Sequence, residues 1–230
     1  MKVFWTLTMR EIAAFAVSPV LYVLLTAFLA VSGYFFYIHM WWYNSMGRIA
    51  TFQDSLLAMA SVTIFFSPFM TMRLLAEEKS KGTIETLMTA PVGDLQVVFA
   101  KFSAVLVVFL LILVPTLALP GLMSQYSSLD LGELAGGYLA LVLMACAIFA
   151  VGLFISSLCS SQISAGIATL IVALLFLLVG HFAGSIDVRQ KEAPVQAALK
   201  SALEYINFTG RTANMMKGIL ETRDIVYFLS

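Results

Sequence analysis

The chain has 230 residues, and its material for proton transfer, metal ligation or nucleophilic attack is two histidines, two cysteines and a matched set of 13 acidic and 13 basic residues. Their spacing supports none of these chemistries. His39 and His181 stand apart, with no carboxylate or cysteine cluster at ligand spacing, so no metal site is expected. No His-Glu-x-x-His, Gly-x-Ser-x-Gly or Gly-x-x-x-x-Gly-Lys-Ser/Thr occurs, which leaves no metalloprotease helix, nucleophile elbow or phosphate-binding loop. Cys146 and Cys159 lie 13 residues apart in what reads as one helix, about 20 Å along its axis and beyond disulfide reach. No catalytic residue and no cofactor bound by this chain are expected.

What the charged residues do offer is a docking element. Residues 73–101 hold four basic and four acidic side chains, so this segment is expected in water. Within it Glu77-Glu78-Lys79 reads as a charged helix end, Gly82 as a break, Thr83-Ile84-Glu85-Thr86-Leu87-Met88-Thr89 as a helix of about two turns, and Pro91 as its stop. Thr83 can cap the short helix, and Glu85 in its first turn suits the dipole. Ile84, Leu87 and Met88 share one face, and Asp94 can cap the helix that follows. A short exposed amphipathic helix has no core of its own, and it lies on headgroups, docks in a partner groove, or stands as a well-capped solvated loop.

The elements that must hold this segment are apolar. Of the residues 61% are hydrophobic and 11% charged, against about 25% charged in an ordinary soluble domain, so the expected solvent is a lipid bilayer. The zero net charge gives no basic footprint for nucleic acid. Because a charge at mid-bilayer costs about 2.5–3.5 kcal/mol, charge-free intervals measure the spans. They place spans at residues 19–38, 55–75, 99–119, 134–155 and 163–182, with Arg73 and Lys101 only at the aqueous margins. Residues 1–17 read as an amphipathic helix at the interface, with Val3, Phe4, Leu7, Ile12 and Phe15 apolar and Lys2, Arg10 and Glu11 polar. Pro19 opens the first span, Pro68 is expected to kink the second, and Pro115 with Pro120 to close the third.

The aromatic cluster from Tyr34 to Tyr43 reads as an interfacial belt, with ligand stacking on Trp41 and Trp42 the rarer alternative. Residues 134–186 carry no formal charge and would measure about 80 Å as one helix, so they fold back at Ser156-Ser157-Leu158-Cys159-Ser160-Ser161-Gln162. Gly136 with Ala140, and Cys146 with Ala150, suggest close helix contact. Residues 183–224 read as an external loop whose Val195, Leu199, Ala202, Leu203 and Ile206 form an amphipathic surface helix. Residues 225–230 read as the start of a sixth span, which implies that more chain follows. No cleaved signal is apparent, so the first span is expected to direct insertion. Lys2, Arg10, Arg73, Lys79, Lys81 and Lys101 fall on one side and Arg48 alone in the short loops of the other, which favours a cytoplasmic N-terminus.

The run from Glu77 to Pro91 resembles the cytoplasmic loop of ABC-type-2 permeases, where Glu-Glu-Lys, Gly-Thr-Ile/Leu-Glu, Leu-x-Thr and Pro recur in that order. The start with Ser18-Pro19, the order of spans and the ending from Thr222 to Ser230 extend the resemblance over the chain, most closely to the permease of the gliding-motility-associated ABC transporter. The resemblance implies an all-α integral membrane protein, an ABC-type-2 exporter transmembrane domain with five spans and the start of a sixth. Residues 1–17 would be its elbow helix and residues 76–98 its coupling loop. By resemblance, Glu77, Glu78, Gly82, Thr83, Ile84, Glu85, Leu87, Thr89 and Pro91 would couple to an ATPase, and Arg10 would contact the loop through Glu77 or Glu78.

Lacking a P-loop, such a chain needs a separate ABC ATPase that binds ATP and magnesium, and a second permease half, homodimeric or homologous, to complete a pathway. The resemblance also implies a multi-pass protein of the bacterial inner membrane. Charge-free spans argue against a proton relay and suit amphiphilic cargo moved by a partner. The alternative is a membrane anchor for an ATPase-driven surface machine that moves no cargo.

Overall fold

The structure is a computed structural model that describes residues 2–47, 51–83, 93–125, 130–185 and 208–216 and Tyr227. The second half of the charged loop, residues 84–92, lies outside the described residues, as do the expected surface helix at 195–206 and, Tyr227 apart, the expected start of a sixth span. Among the described residues the chain is helical and has no strand. Helix α1 covers Lys2–Val17, α2 Pro19–Ser45, α3 Gln53–Thr71, α4 Ala76–Ser80 and α5 Asp94–Leu113. A 3-10 turn at Val114–Leu117 leads into α6 (Ala118–Met123), followed by α7 (Leu131–Leu158), α8 (Gln162–Ser185) and α9 (Phe208–Met216).

Five of the helical segments are long and apolar enough to cross a membrane. The boundary between α1 and α2 follows from Ser18-Pro19: Ser18 is extended, its hydroxyl accepts from the Val20 N–H at 3.4 Å, and Pro19 starts α2 without needing a donor. The first span does not stop at residue 38; α2 carries the aromatic cluster on to Ser45. In α3, Pro68 denies the Ile64 carbonyl its helical donor, and the Ser67 hydroxyl donates to that oxygen instead at 2.8 Å. The third span also outruns its expected end. Pro115 occupies the start of the 3-10 turn and Pro120 the first turn of α6, where no N–H is required, so the helical path continues to Met123. Asp94 is the first helical residue of α5, not its cap; that place belongs to Gly93. Asp130 does cap α7, accepting from the Gly132 N–H at 2.8 Å.

Helix α3 is the hub. It packs against α2, α7 and α8, while α1 lies along α5. Leu56, Met59, Ile64, Met144, Ile148 and Phe149 are fully enclosed between these helices. Edge-to-face rings tie four spans at mid-height: Phe28 meets Phe66 at 6.0 Å and Phe109 at 6.3 Å, and Phe109 meets Phe149 at 5.4 Å. The α3–α7 contact is close because Gly137 faces Leu56 and Gly152 faces Thr71, where an added Cβ would stand 2.3 and 2.4 Å from those side chains.

Within the expected external loop, α9 is no free surface element. Its Thr212, Met215 and Met216 are buried, and it packs against α7 and α8. A helix whose own propensity is modest takes its stability from such packing.

Candidate functional site

Arg10, Glu11, Arg73, Glu77, Glu78, Lys81 and Lys101, scattered in sequence, converge at one end of the bundle. The path starts in α1, whose Phe4, Leu7, Thr8, Glu11, Ile12 and Phe15 are its least exposed positions and recur at helical spacing. Glu11 therefore sits within the packed stripe rather than on a polar face, which corrects the amphipathic assignment of that residue. The buried stripe of α5 contains Ala100, Lys101, Ala104, Val105 and Val108, and Lys101 is the charged member of it. The two exceptions meet: Lys101 Nζ lies 3.3 Å from Glu11 and 2.9 Å from Glu78, with its side chain only 3% exposed.

An ammonium so enclosed needs compensation, and two carboxylates from two other segments supply it. The expectation that residues 73–101 are aqueous throughout is thereby corrected. Leu74, Leu75, Ala76, Ala100 and Lys101 are buried, because the charges near them pair with one another.

Arg10 reaches the same cluster from outside. It lies 2.8 Å from Glu11 and 3.7 Å from Glu78, with its side chain 56% exposed. Between the two partners expected for Arg10, the structure places Glu78 within ion-pair distance. Glu77 is engaged elsewhere, by Arg73 at 2.9 Å and Lys81 at 2.6 Å. Burial opposes charge on Glu77, but hydrogen bonds from Arg73 and Lys81 outweigh it and hold the carboxyl below the ordinary glutamate range. Arg73 also donates to the Ser18 hydroxyl at 2.7 Å, so the break between α1 and α2 is tied to the end of α3. A cavity of about 320 Å³ opens among Glu11, Phe15, Arg73, Glu77, Glu78 and Lys101, with Thr83 on its rim.

Helix α4 is set by its two ends. At its C-terminus Gly82 takes φ +70°, its N–H donates to the Lys79 carbonyl at 3.2 Å, and the Thr83 N–H donates to the Glu78 carbonyl at 3.0 Å. This paired closure needs a left-handed residue that glycine supplies without strain, and it is the break read from the sequence at Gly82. Beyond Thr83, the positions Ile84, Glu85, Leu87, Thr89 and Pro91 lie outside the described residues. At its N-terminus α4 has no cap of its own. Ser156 at the end of α7 provides one, accepting from the N–H groups of Leu75 at 3.2 Å and Ala76 at 3.0 Å.

Sequence reasoning singled out Arg10, Glu77, Glu78 and Gly82 but not Lys101, Glu11 as a buried partner, Arg73 or Ser156. A signal for Lys101 was present. It falls three and four residues before Ala104 and Val105, on the apolar stripe of its helix. Nothing in the sequence marks Ser156 among its serine neighbours. Among the described residues no group of histidine, cysteine, aspartate and glutamate is placed to hold a metal ion.

Five apolar helices around a buried third, with their ion pairs gathered at one end, define a multi-pass membrane protein. The chain belongs to the ABC-2 family of transporter proteins, whose model matches residues 8–207. Comparison with curated proteins gave no match.

Proposed function

We propose that this chain is the permease subunit of an ABC transporter, close to the gliding-motility-associated permeases, and that it moves its substrate with energy from a separate ATP-hydrolysing subunit. ATP and magnesium bind on that partner and not on this chain. Residues 1–17 act as the elbow helix, residues 76–98 as the coupling loop, and the charged end faces the cytoplasm of a bacterial cell whose inner membrane holds the protein. A second permease half, identical or homologous, completes the pathway.

The observation that carries this reading is the Lys101 ion-pair hub, which ties α1, α4 and α5 together at the base of the loop. A solvated loop has no use for a buried ammonium held by two carboxylates, whose desolvation is costly. A loop that transmits force to spans needs a rigid root. Ser18, Arg73, Glu77 and Lys81 extend the same root to the start of α2.

The test is co-expression of the tagged chain with candidate ABC ATPase subunits, with hydrolysis measured for the native loop and for Glu85→Ala with Leu87→Ala. Stable co-purification and a several-fold change in hydrolysis on altering the loop are expected. A folded chain that retains no ATPase would overturn the proposal.

A further inference from the structure

The coupling loop is continuous with α3 and α5, so those two spans follow it by covalent connection. The structure adds a third attachment that the chain path does not require. The fully buried Ser156, in the last turn of α7 before Cys159, places its hydroxyl against the Leu75 and Ala76 N–H groups at 3.2 and 3.0 Å. These are the donors at the start of α4 that a capping side chain normally satisfies. One residue on, the Ser157 carbonyl accepts from the Lys79 ammonium. One turn earlier, Gly152 lets α7 approach Thr71 more closely than any side chain would permit.

The α7 terminus is thus joined to the α3–α4 bend by a backbone approach, a cap and a lysine contact in succession. Beyond it the chain turns at Cys159, Ser160 and Ser161 and enters α8.

We infer that Ser156 is a positioning residue that makes the turn between α7 and α8 move with the coupling loop, so that the ATPase drives these two spans as well as α3 and α5. The inference rests on the permease reading. Its physical basis is that a buried hydroxyl shared by two N–H groups cannot be released without leaving both donors unpaired, so the loop and the turn shift as one body.

Two measurements on the full chain decide it. In the purified chain alone, Ser156→Ala is expected to raise hydrogen exchange at Leu75 and at Ala76 up to about tenfold each, the loss of one neutral hydrogen bond at each N–H. Ser157→Ala is the control; among the described residues its hydroxyl bonds only to the Phe154 carbonyl of its own helix, and exchange should not change. In complex with the ATPase, a spin label on the half-buried native Cys159, in a Cys146→Ser background, is expected to change its spectrum on ATP binding. Ser156→Ala should cut that change by half or more while ATPase binding persists, and Ser157→Ala should leave it intact.

Unaltered exchange in Ser156→Ala would overturn the clamp. Altered exchange with an undiminished Cys159 response would overturn its role in transmission. Failure of every variant to hold an ATPase would instead overturn the permease reading, and the transmission role would fall with it.

Discussion

Lys101 is where a single side chain matters most. Its ammonium is enclosed and shared by Glu11 and Glu78, so removing one member leaves the others buried without balance. Lys101→Met is expected to destabilise the protein by about 3–5 kcal/mol, the range for breaking a buried pair from one side, read as an earlier thermal transition in detergent. Lys101→Met with Glu11→Leu and Glu78→Leu should recover most of that loss, since an apolar replacement of a whole buried set is often neutral. Arg10→Ala should cost about 1 kcal/mol or less, because its side chain is 56% exposed and its contact with Glu78 spans 3.7 Å. The charge swap Arg10→Glu with Glu78→Lys is expected not to restore stability, because it sets a second cation against Lys101. The sequence suggests a two-body link from Arg10; the structure makes it a cluster centred on a residue whose partners come from two other chain segments.

At the scale of elements, the α3–α7 contact is the tightest joint in the bundle. Gly152→Ala would put a Cβ within 2.4–2.8 Å of three Thr71 atoms, and forcing the helices apart should cost about 1–3 kcal/mol. Gly33→Ala in α2 meets nothing within 4 Å and should be neutral or stabilising by up to about 1 kcal/mol, the helix-propensity gain. Thermal unfolding of both variants in one detergent checks the contrast.

The spans themselves were legible, because charge burial is so costly that gaps between charges mark them. Their ends were less so. Prolines at the third span read as stops, yet each occupies a helical start where its missing N–H is harmless. Small-residue spacing pointed correctly to Gly136 and Ala140, which are buried, but also to Cys146 and Ala150, which are half-buried and exposed. The positions that admit closest approach, Gly137 and Gly152, are the ones on the stripe with Leu141, Met144, Ile148 and Ser156. Only knowledge of which helix α7 faces distinguishes the two sets.

The molecule as a whole is held differently at its two ends. All the described ion pairs gather around α1, α4 and the adjoining ends of α3 and α5. The opposite end relies on ring contacts, Phe36 tilted against Phe52 and Phe52 stacked on Tyr138, and on the Thr116–Tyr138 and Tyr43–Asp54 hydrogen bonds. Deleting residues 1–17 removes Glu11 and the Arg10 contact while leaving all five apolar helices intact. Such a chain is expected to remain in the membrane fraction, in reduced amounts because Lys101 loses Glu11, and with ATPase co-purification per chain reduced at least several-fold. Loss from the membrane would show instead that α1 serves insertion.

The ion-paired triangle of Glu11, Glu78 and Lys101 also constrains how this lineage can drift. A solitary substitution at any corner strands charge in a dry place, whereas the fully apolar triplet is tolerable. Descendants should therefore inherit the three letters together or exchange them together, and intermediates should be rare. The triangle is a hereditary lock with two settings, spelled across three distant stretches of the gene.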